Sequence, residues 1–304
     1  MVEDVDGTSW VRESVTVSVP ATSANLGPGF DALGIALDHR DVVRVEVADR
    51  LEIEVEGDGA DDVPRDASHL VYRTIERTLQ ALGREAPPLR LSCTNAIPHG
   101  RGLGSSSAAI VAGAVAARAL VPGGSLVMDD AALLDLSAQI EGHADNVAPA
   151  LLGGFTIAFR VDGRYAAVPL AVDPRIRVVV LVPAHAVKTT EARALLPGSV
   201  PHEAAAANAA RSALLDAALT GRPELLLAAT EDRLHQEYRR AVMPETLALV
   251  DVLRADGIPA VVSGAGPSVL AFATQHDVAT VVGRAPRDWR PYAVPIDPLG
   301  ARLL

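Results

Sequence analysis

The sequence predicts an α+β protein in two domains, on three observations. Strand-type alternation and helix-type periodicity are interleaved along the chain. The pattern starts afresh near Asp173. The 304 residues, 49% of them hydrophobic, suffice for one large core or two ordinary ones. The expected division is therefore 1–172 and 173–304.

Each element has its own signal. "VTVSV" from Val15, "VVRVEVA" from Val42 and "LEIEVEG" from Leu51 alternate with period two, as half-buried antiparallel strands do. "SHLVYRTIERTLQALG" sets Leu70, Ile75, Leu79 and Leu82 near one helical face, with Ser68 as N-cap and Gly83 as stop. "LRLSCTNAI" is a strand feeding a glycine turn, from which a helix runs from Ser106 to about Leu120. "DDAALLDLSAQIEG" makes a third helix, and "GGFTIAFRVDGRYAAVPL" a hairpin turning at Asp162-Gly163. After "VDPRI" come strand "RVVVLVPA", then helices in "HEAAAANAARSALLDAAL", "PELLLAAT" and "ETLALVDVLRADG". Last is "AVVSGAGPSVLAFA", a strand broken by glycines.

Composition excludes several classes. A net charge of -11 argues against nucleic acid or an anionic membrane as partner. One cysteine, Cys93, leaves no disulfide framework and no multi-cysteine metal site. The acidic start lacks a signal-peptide core, and the longest apolar run is too short to span a bilayer. A soluble, cytoplasmic protein is expected. Its basic residues are almost all arginine, with Lys188 the single lysine.

Four stretches carry chemistry. "PHGRGLGSSSA", from Pro98, runs from a strand through Gly100, Arg101, Gly102, Leu103 and Gly104 to Ser105, Ser106, Ser107 and Ala108. A helix N-terminus offers unpaired N–H groups and partial positive charge, so this pattern describes an anion cradle. It is neither a Walker A loop nor a dinucleotide fingerprint; the bland reading is a serine-capped turn. "PATSANLGPGFDALG" gathers Asn25 and Asp31 in a glycine-rich loop of the kind that shapes a binding surface or simply turns the chain. "EGHADNVAPALLGG" sets Glu141, His143, Asp145 and Asn146 within six positions, where carboxylates can hold magnesium or orient a hydroxyl. In "SGAGPSV", Gly264 and Gly266 permit close backbone approach.

Together these stretches resemble the GHMP small-molecule kinases, whose signature Pro-x-x-x-Gly-Leu-Gly-Ser-Ser-Ala is met from Pro98 to Ser106, with Ser107 inserted or in place of the usual alanine. The similarity is closest to the homoserine-phosphorylating branch and extends from about Val15 to Phe272, through "KTTEARALLP" and "LHQEYR". It implies an N-terminal domain with a left-handed βαβ unit and a ferredoxin-like C-terminal domain with the site between them. It also implies ATP-dependent phosphorylation of the L-homoserine hydroxyl on the route to threonine, and a homodimer. Pro98 and residues 100–108, with Gly264 and Gly266, would face ATP. Ser106 and Glu141 would hold Mg²⁺, and Asp145 with Asn146 would orient the hydroxyl. Asn25, Asp31, His143, Arg193 and Arg239 would take the zwitterion, the arginines clamping its carboxylate.

Two departures stand out: His69 where an asparagine is common near the adenine, and Ser268 where threonine is usual. Another kinase branch, which would lack the paired arginine clamp, and a silent sensor on the same fold remain as alternatives. A two-domain oxidoreductase lacks its fingerprint.

Overall fold

The computed structural model describes residues 10–304; the acidic start, residues 1–9, lies outside the described residues. The first sheet takes β1 (Ser14–Ala24), β2 (Leu33–Val47), β3 (Glu52–Gly57), β4 (Leu89–Asn95), β5 (Phe155–Val161) and β6 (Arg164–Leu170). The second takes β7 (Arg177–Val182), β8 (Ala260–Val262), β9 (Val269–Ala273) and β10 (Arg290–Val294) in the order β10-β7-β9-β8. A last strand, β11 (Arg302–Leu303), returns to the first sheet beside β1. The chain passes from the first sheet to the second between Leu170 and Arg177, and residues beyond Pro295 return to pack on the first one.

The long β2 pairs with β1 over its length, with β5 at its start and with β4 over Val42–Val47. The β1–β2 register shifts by two residues between Pro20 and Ala21, leaving Asp38 and His39 without partners on β1. Proline lacks the N–H that a regular ladder needs there. The Asp162-Gly163 turn is as expected: both residues are left-handed, at φ 51° and 80°, as a two-residue hairpin requires. By contrast, "AVVSGAGPSVLAFA" is not one broken strand. Its glycines form a loop between two antiparallel strands, β8 and β9.

Between β3 and β4, a parallel pair, the chain runs through α1 (Leu70–Ala81), a βαβ unit. Ser68 does not cap α1; it is held by Asp66, and His69 occupies the cap position. The next helices are α2 (Ser105–Leu120), α3 (Gly124–Val127), α4 (Asp130–Glu141) and α5 (Val147–Leu152). In the second half follow α6 (Thr189–Ala194), α7 (His202–Thr220), α8 (Leu226–Ala229), α9 (Pro244–Ala255) and α10 (Val278–Gly283).

Alternation decides the packing. Val15, Val17 and Val19 of β1 and Val43 and Val45 of β2 enter one core. Strand β7 is buried on both faces: Val178, Val180 and Val182 join that core, while Val179 and Leu181 enter a second one with α9. Helix α2 is apolar nearly all round and lies in the middle of the first core. Its small residues permit this: a Cβ on Gly113 would sit 2.8 Å from the Val71 carbonyl of α1. The N-terminus of α2 is thus aimed by packing along its whole length. Among the described residues no helix is long and apolar enough to cross a membrane.

The returning tail is pinned by Arg40, which pairs with the buried Asp297 and donates to the carbonyls of Ser18 (2.9 Å) and Gly300 (2.8 Å). Asp297 also accepts from the N–H groups of Leu299 and Gly300. Removing one partner of a buried pair strands the other charge, at a cost of about 3 kcal/mol. Arg40→Met should therefore lower the urea midpoint of unfolding by that equivalent, and a variant melting with the parent would reject the pin.

Candidate active site

The cradle is shaped by three left-handed glycines, Gly100 (φ 65°), Gly102 (72°) and Gly104 (69°). At two of them the protein's own packing requires glycine. A Cβ on Gly102 would meet the Ser263 carbonyl at 2.2 Å, and one on Gly104 would meet Thr22 Oγ1 at 1.9 Å. The turn is glycine-rich because strand β1 and the β8–β9 loop press on it. Ser263 Oγ donates to the Gly102 carbonyl (2.6 Å), and the Thr22 N–H donates to that of Leu103 (3.0 Å). The helix begins at Ser105, one residue earlier than expected, and its first internal bond runs from Ala108 N–H to Gly104. The N–H groups of Ser105, Ser106 and Ser107 are left as donors at its mouth.

Glu141, last residue of α4, accepts from Ser106 Oγ (2.5 Å) and Ser107 Oγ (2.8 Å). Ser107 is buried and Ser106 exposed. The additional serine therefore steadies the carboxylate from the protein side while Ser106 faces outward. This all-oxygen pair suits Mg²⁺, which takes few protein ligands and keeps waters or phosphate oxygens. Among the described residues no group of three or more His, Cys, Asp and Glu could hold a metal by itself.

Two cavities meet at the cradle, sharing Gly100, Ser105 and Ser106. One, of about 290 Å³, has an apolar wall that includes Val43, Val71, Cys93 and Ala108. Buried His69 also lines it, with Nδ1 unpartnered and burial lowering its pKa, so the ring is neutral. The other, of about 490 Å³, brings together Asn25, Leu103, Glu141, Asp145, Arg193 and Arg239, and also His143, Asn146 and Gly264. Pro98 and Arg101 are not on either wall. The Arg101 guanidinium donates to the carbonyls of His99 (2.7 Å), Pro183 (3.2 Å) and Ala184 (2.7 Å), and both residues line a separate hollow. Gly266 also stays off the wall, packed where a Cβ would meet Met243 Sδ at 2.6 Å.

The expected substrate residues are less free than their sequence suggests. Asn25 is left-handed, and both ends of its amide are already engaged by the protein. Its Nδ2 donates to the Gly264 carbonyl (2.8 Å) and its Oδ1 accepts from Asp31 N–H (2.9 Å). Asp31 and Arg193, expected to grip opposite ends of a ligand, grip each other through two bonds of 2.5 and 3.0 Å. That pairing raises the Arg193 pKa. Arg239 is 1% exposed, donates to Gly264 (3.0 Å), and has no acceptor for Nε. Burial first, and the charge of Arg193 second, push its pKa down to about 10. No described carboxylate pairs with it, so a buried cation stands ready for an anion.

Asp145 is buried, and its Oδ1 accepts from His143 Nδ1 (2.6 Å). Burial opposes a charge on His143, but this bond and the charges of Asp145 and Glu141 outweigh it and raise the pKa. Asn146 Oδ1 accepts from Thr22 (2.8 Å), leaving its amide N–H groups for other partners. Sequence reasoning missed Thr22 and Ser263, whose polar contacts are non-local, and did not set Lys188 at the site. Its being the chain's one lysine was the available signal, and it lines the larger cavity.

Residues 69–154 match the GHMP kinases N terminal domain and residues 206–290 the GHMP kinases C terminal domain. A homoserine kinase of Streptomyces coelicolor is 55% identical over 98% of this chain and 97% of its own. One from Mycolicibacterium smegmatis is 51% identical over 86% of each. The crystal structure of homoserine kinase from Cytophaga hutchinsonii superposes with a TM-score of 0.84 at 27% identity, covering 97% of this chain and 98% of that one. A mevalonate diphosphate decarboxylase of Staphylococcus aureus shares the fold at 14% identity, with a TM-score of 0.69 over 96% and 98%.

Gly104→Ala forces a methyl group into Thr22 at a left-handed φ. It should weaken nucleotide binding by calorimetry at least about tenfold. Gly283→Ala, with nothing within 4 Å, should bind as the parent does. Equal affinities in both variants would remove the cradle from the site.

Proposed function

We propose, on the premise that the chain belongs to the homoserine kinases of the GHMP kinase family, that it transfers the terminal phosphoryl group of ATP to the side-chain hydroxyl of L-homoserine. One observation carries the reading: a helix-mouth cradle, an oxygen pair suited to magnesium, a buried carboxylate and two arginines converge on one cavity. Phosphoryl transfer asks little covalent work of a protein; it asks for charge neutralisation and alignment. Here the N–H groups of Ser105–Ser107 serve the phosphate oxygens, and the apolar hollow beside His69 takes the base. Ser106 and Glu141 would hold Mg²⁺, which when bound offsets the negative charge of the phosphate oxygens.

The acceptor is a zwitterion, and the Asp31–Arg193 pair matches it charge for charge. Its ammonium takes over Asp31 while its carboxylate takes Arg193 and the unpaired donors of Arg239. With Oδ1 of Asp145 engaged by His143, Oδ2 accepts the hydroxyl's hydrogen bond, and the Asn146 amide donates beside it. Asp145 is thus an orienting group whose direction is fixed by His143.

Coupled measurement of ADP release, with homoserine and mevalonate compared at equal concentration, tests the assignment. Release driven by homoserine alone is the expected result; release driven by mevalonate would select another kinase branch. Nucleotide binding without either would leave a sensor. Asp145→Asn should lower kcat by about a hundredfold, the scale of an acid–base or orienting contribution, while calorimetric ATP affinity is retained. Unchanged turnover would remove Asp145 from the reaction.

A further inference from the structure

One aromatic ring sits where the two arginines meet. Phe30 has the Arg193 guanidinium carbon 5.6 Å from its centroid and that of Arg239 5.8 Å away, both over the ring. His235 stacks on it at 5.0 Å with 27° between the planes, and that imidazole donates from Nε2 to the Gly27 carbonyl (2.8 Å). Burial keeps His235 well below its ordinary pKa, so it adds no third positive charge.

The ring has little freedom to leave. Asn25, Leu26, Gly27 and Asp31 are all left-handed, at φ 68°, 48°, 84° and 56°. A Cβ on Gly29 would lie 2.3 Å from Leu33, and Asn208 Nδ2 holds the Pro28 carbonyl at 2.7 Å. Such backbone strain persists only where the surroundings over-determine it. What it fixes is the pair Phe30–Asp31: the carboxylate of one and the ring of the other both hold Arg193.

We propose that Phe30 is a positioning residue that makes the site specific for a carboxylate-bearing acceptor, by holding the guanidinium groups of Arg193 and Arg239 side by side. The proposal rests on the homoserine reading above. Two like charges converging on one anion repel each other, and the negative face of an aromatic ring offsets part of that repulsion. When the ligand's ammonium draws Asp31 away, Arg193 loses its charged partner but keeps the ring. Its guanidinium therefore stays in place for the carboxylate.

The test compares Phe30→Leu and Phe30→Met, which keep apolar bulk, with Phe30→Tyr, which keeps the ring face. In both aliphatic variants KM for homoserine should rise about tenfold, a loss of about 1.4 kcal/mol, with kcat and the KM for ATP unchanged. Phe30→Tyr should behave as the parent. With 3-amino-1-propanol, the same acceptor without its carboxylate, kcat/KM should be equal in all four proteins, which a merely structural role would not produce. An unchanged homoserine KM in a folded aliphatic variant overturns the proposal, as does an equal loss toward both acceptors. Failure of both aliphatic variants to fold also overturns it, since the ring would then be a core residue. A parent that releases no ADP with homoserine removes the kinase reading itself, an outcome visible before any variant is made.

Discussion

The carbonyl of Gly264 is the point on which the site depends. It accepts from Asn25 Nδ2 and from Arg239 Nη1, while the Gly264 N–H donates to the Ala24 carbonyl. The backbone of one residue thus joins the end of β1, the β8–β9 loop and the segment after α8. Next to it Ser263 reaches the cradle through Gly102. Two stretches nearly the whole chain apart, "TSAN" and "SGAG", are thereby held in backbone contact under the helix mouth. Buried polar groups are costly unless paired, and these find partners on other segments, with Arg239 Nε alone among them left without an acceptor.

Neutrality is the second organising fact. Along the cavity wall Arg193 is answered by Asp31 and Asp145 by His143, whereas among the described residues Arg239, Lys188 and Glu141 form no ion pair. An anionic ligand therefore meets two uncommitted cations, whereas a zwitterion can exchange partners with Asp31 and Arg193 and leave the balance unaltered. Ligand choice then follows from charge symmetry as much as from shape.

What the sequence makes legible is local. The Asp162-Gly163 hairpin, the central helix after the glycine turn and the β7 run were readable because turn chemistry and periodicity act over a few residues. Strand β2 was legible only in its second half, since its first half changes partner and carries the Pro20 offset. The four functional stretches were identifiable from their residues, and their meeting in one cavity agrees with the resemblance. The committed partners were not legible. Arg101 reaches carbonyls more than eighty positions away, Arg193 closes on Asp31 across 162, and Asn25 on Gly264 across 239. Nothing within a motif announces which of its polar atoms another motif will consume. The glycines teach the same lesson: Gly102 and Gly104 make room for Ser263 and Thr22, partners that no local pattern names.

The tail's return has a consequence for how the molecule comes into being. Strand β1 is made long before the residues that close its outer edge, Arg302 and Leu303, and Arg40 finds its carboxylate only at position 297. While synthesis proceeds, the amino-terminal sheet carries an open edge and an unmated guanidinium, features that invite pairing with strangers. Sealing follows the second sheet, so the amino-terminal sheet keeps its open edge until Arg302 and Leu303 have been made.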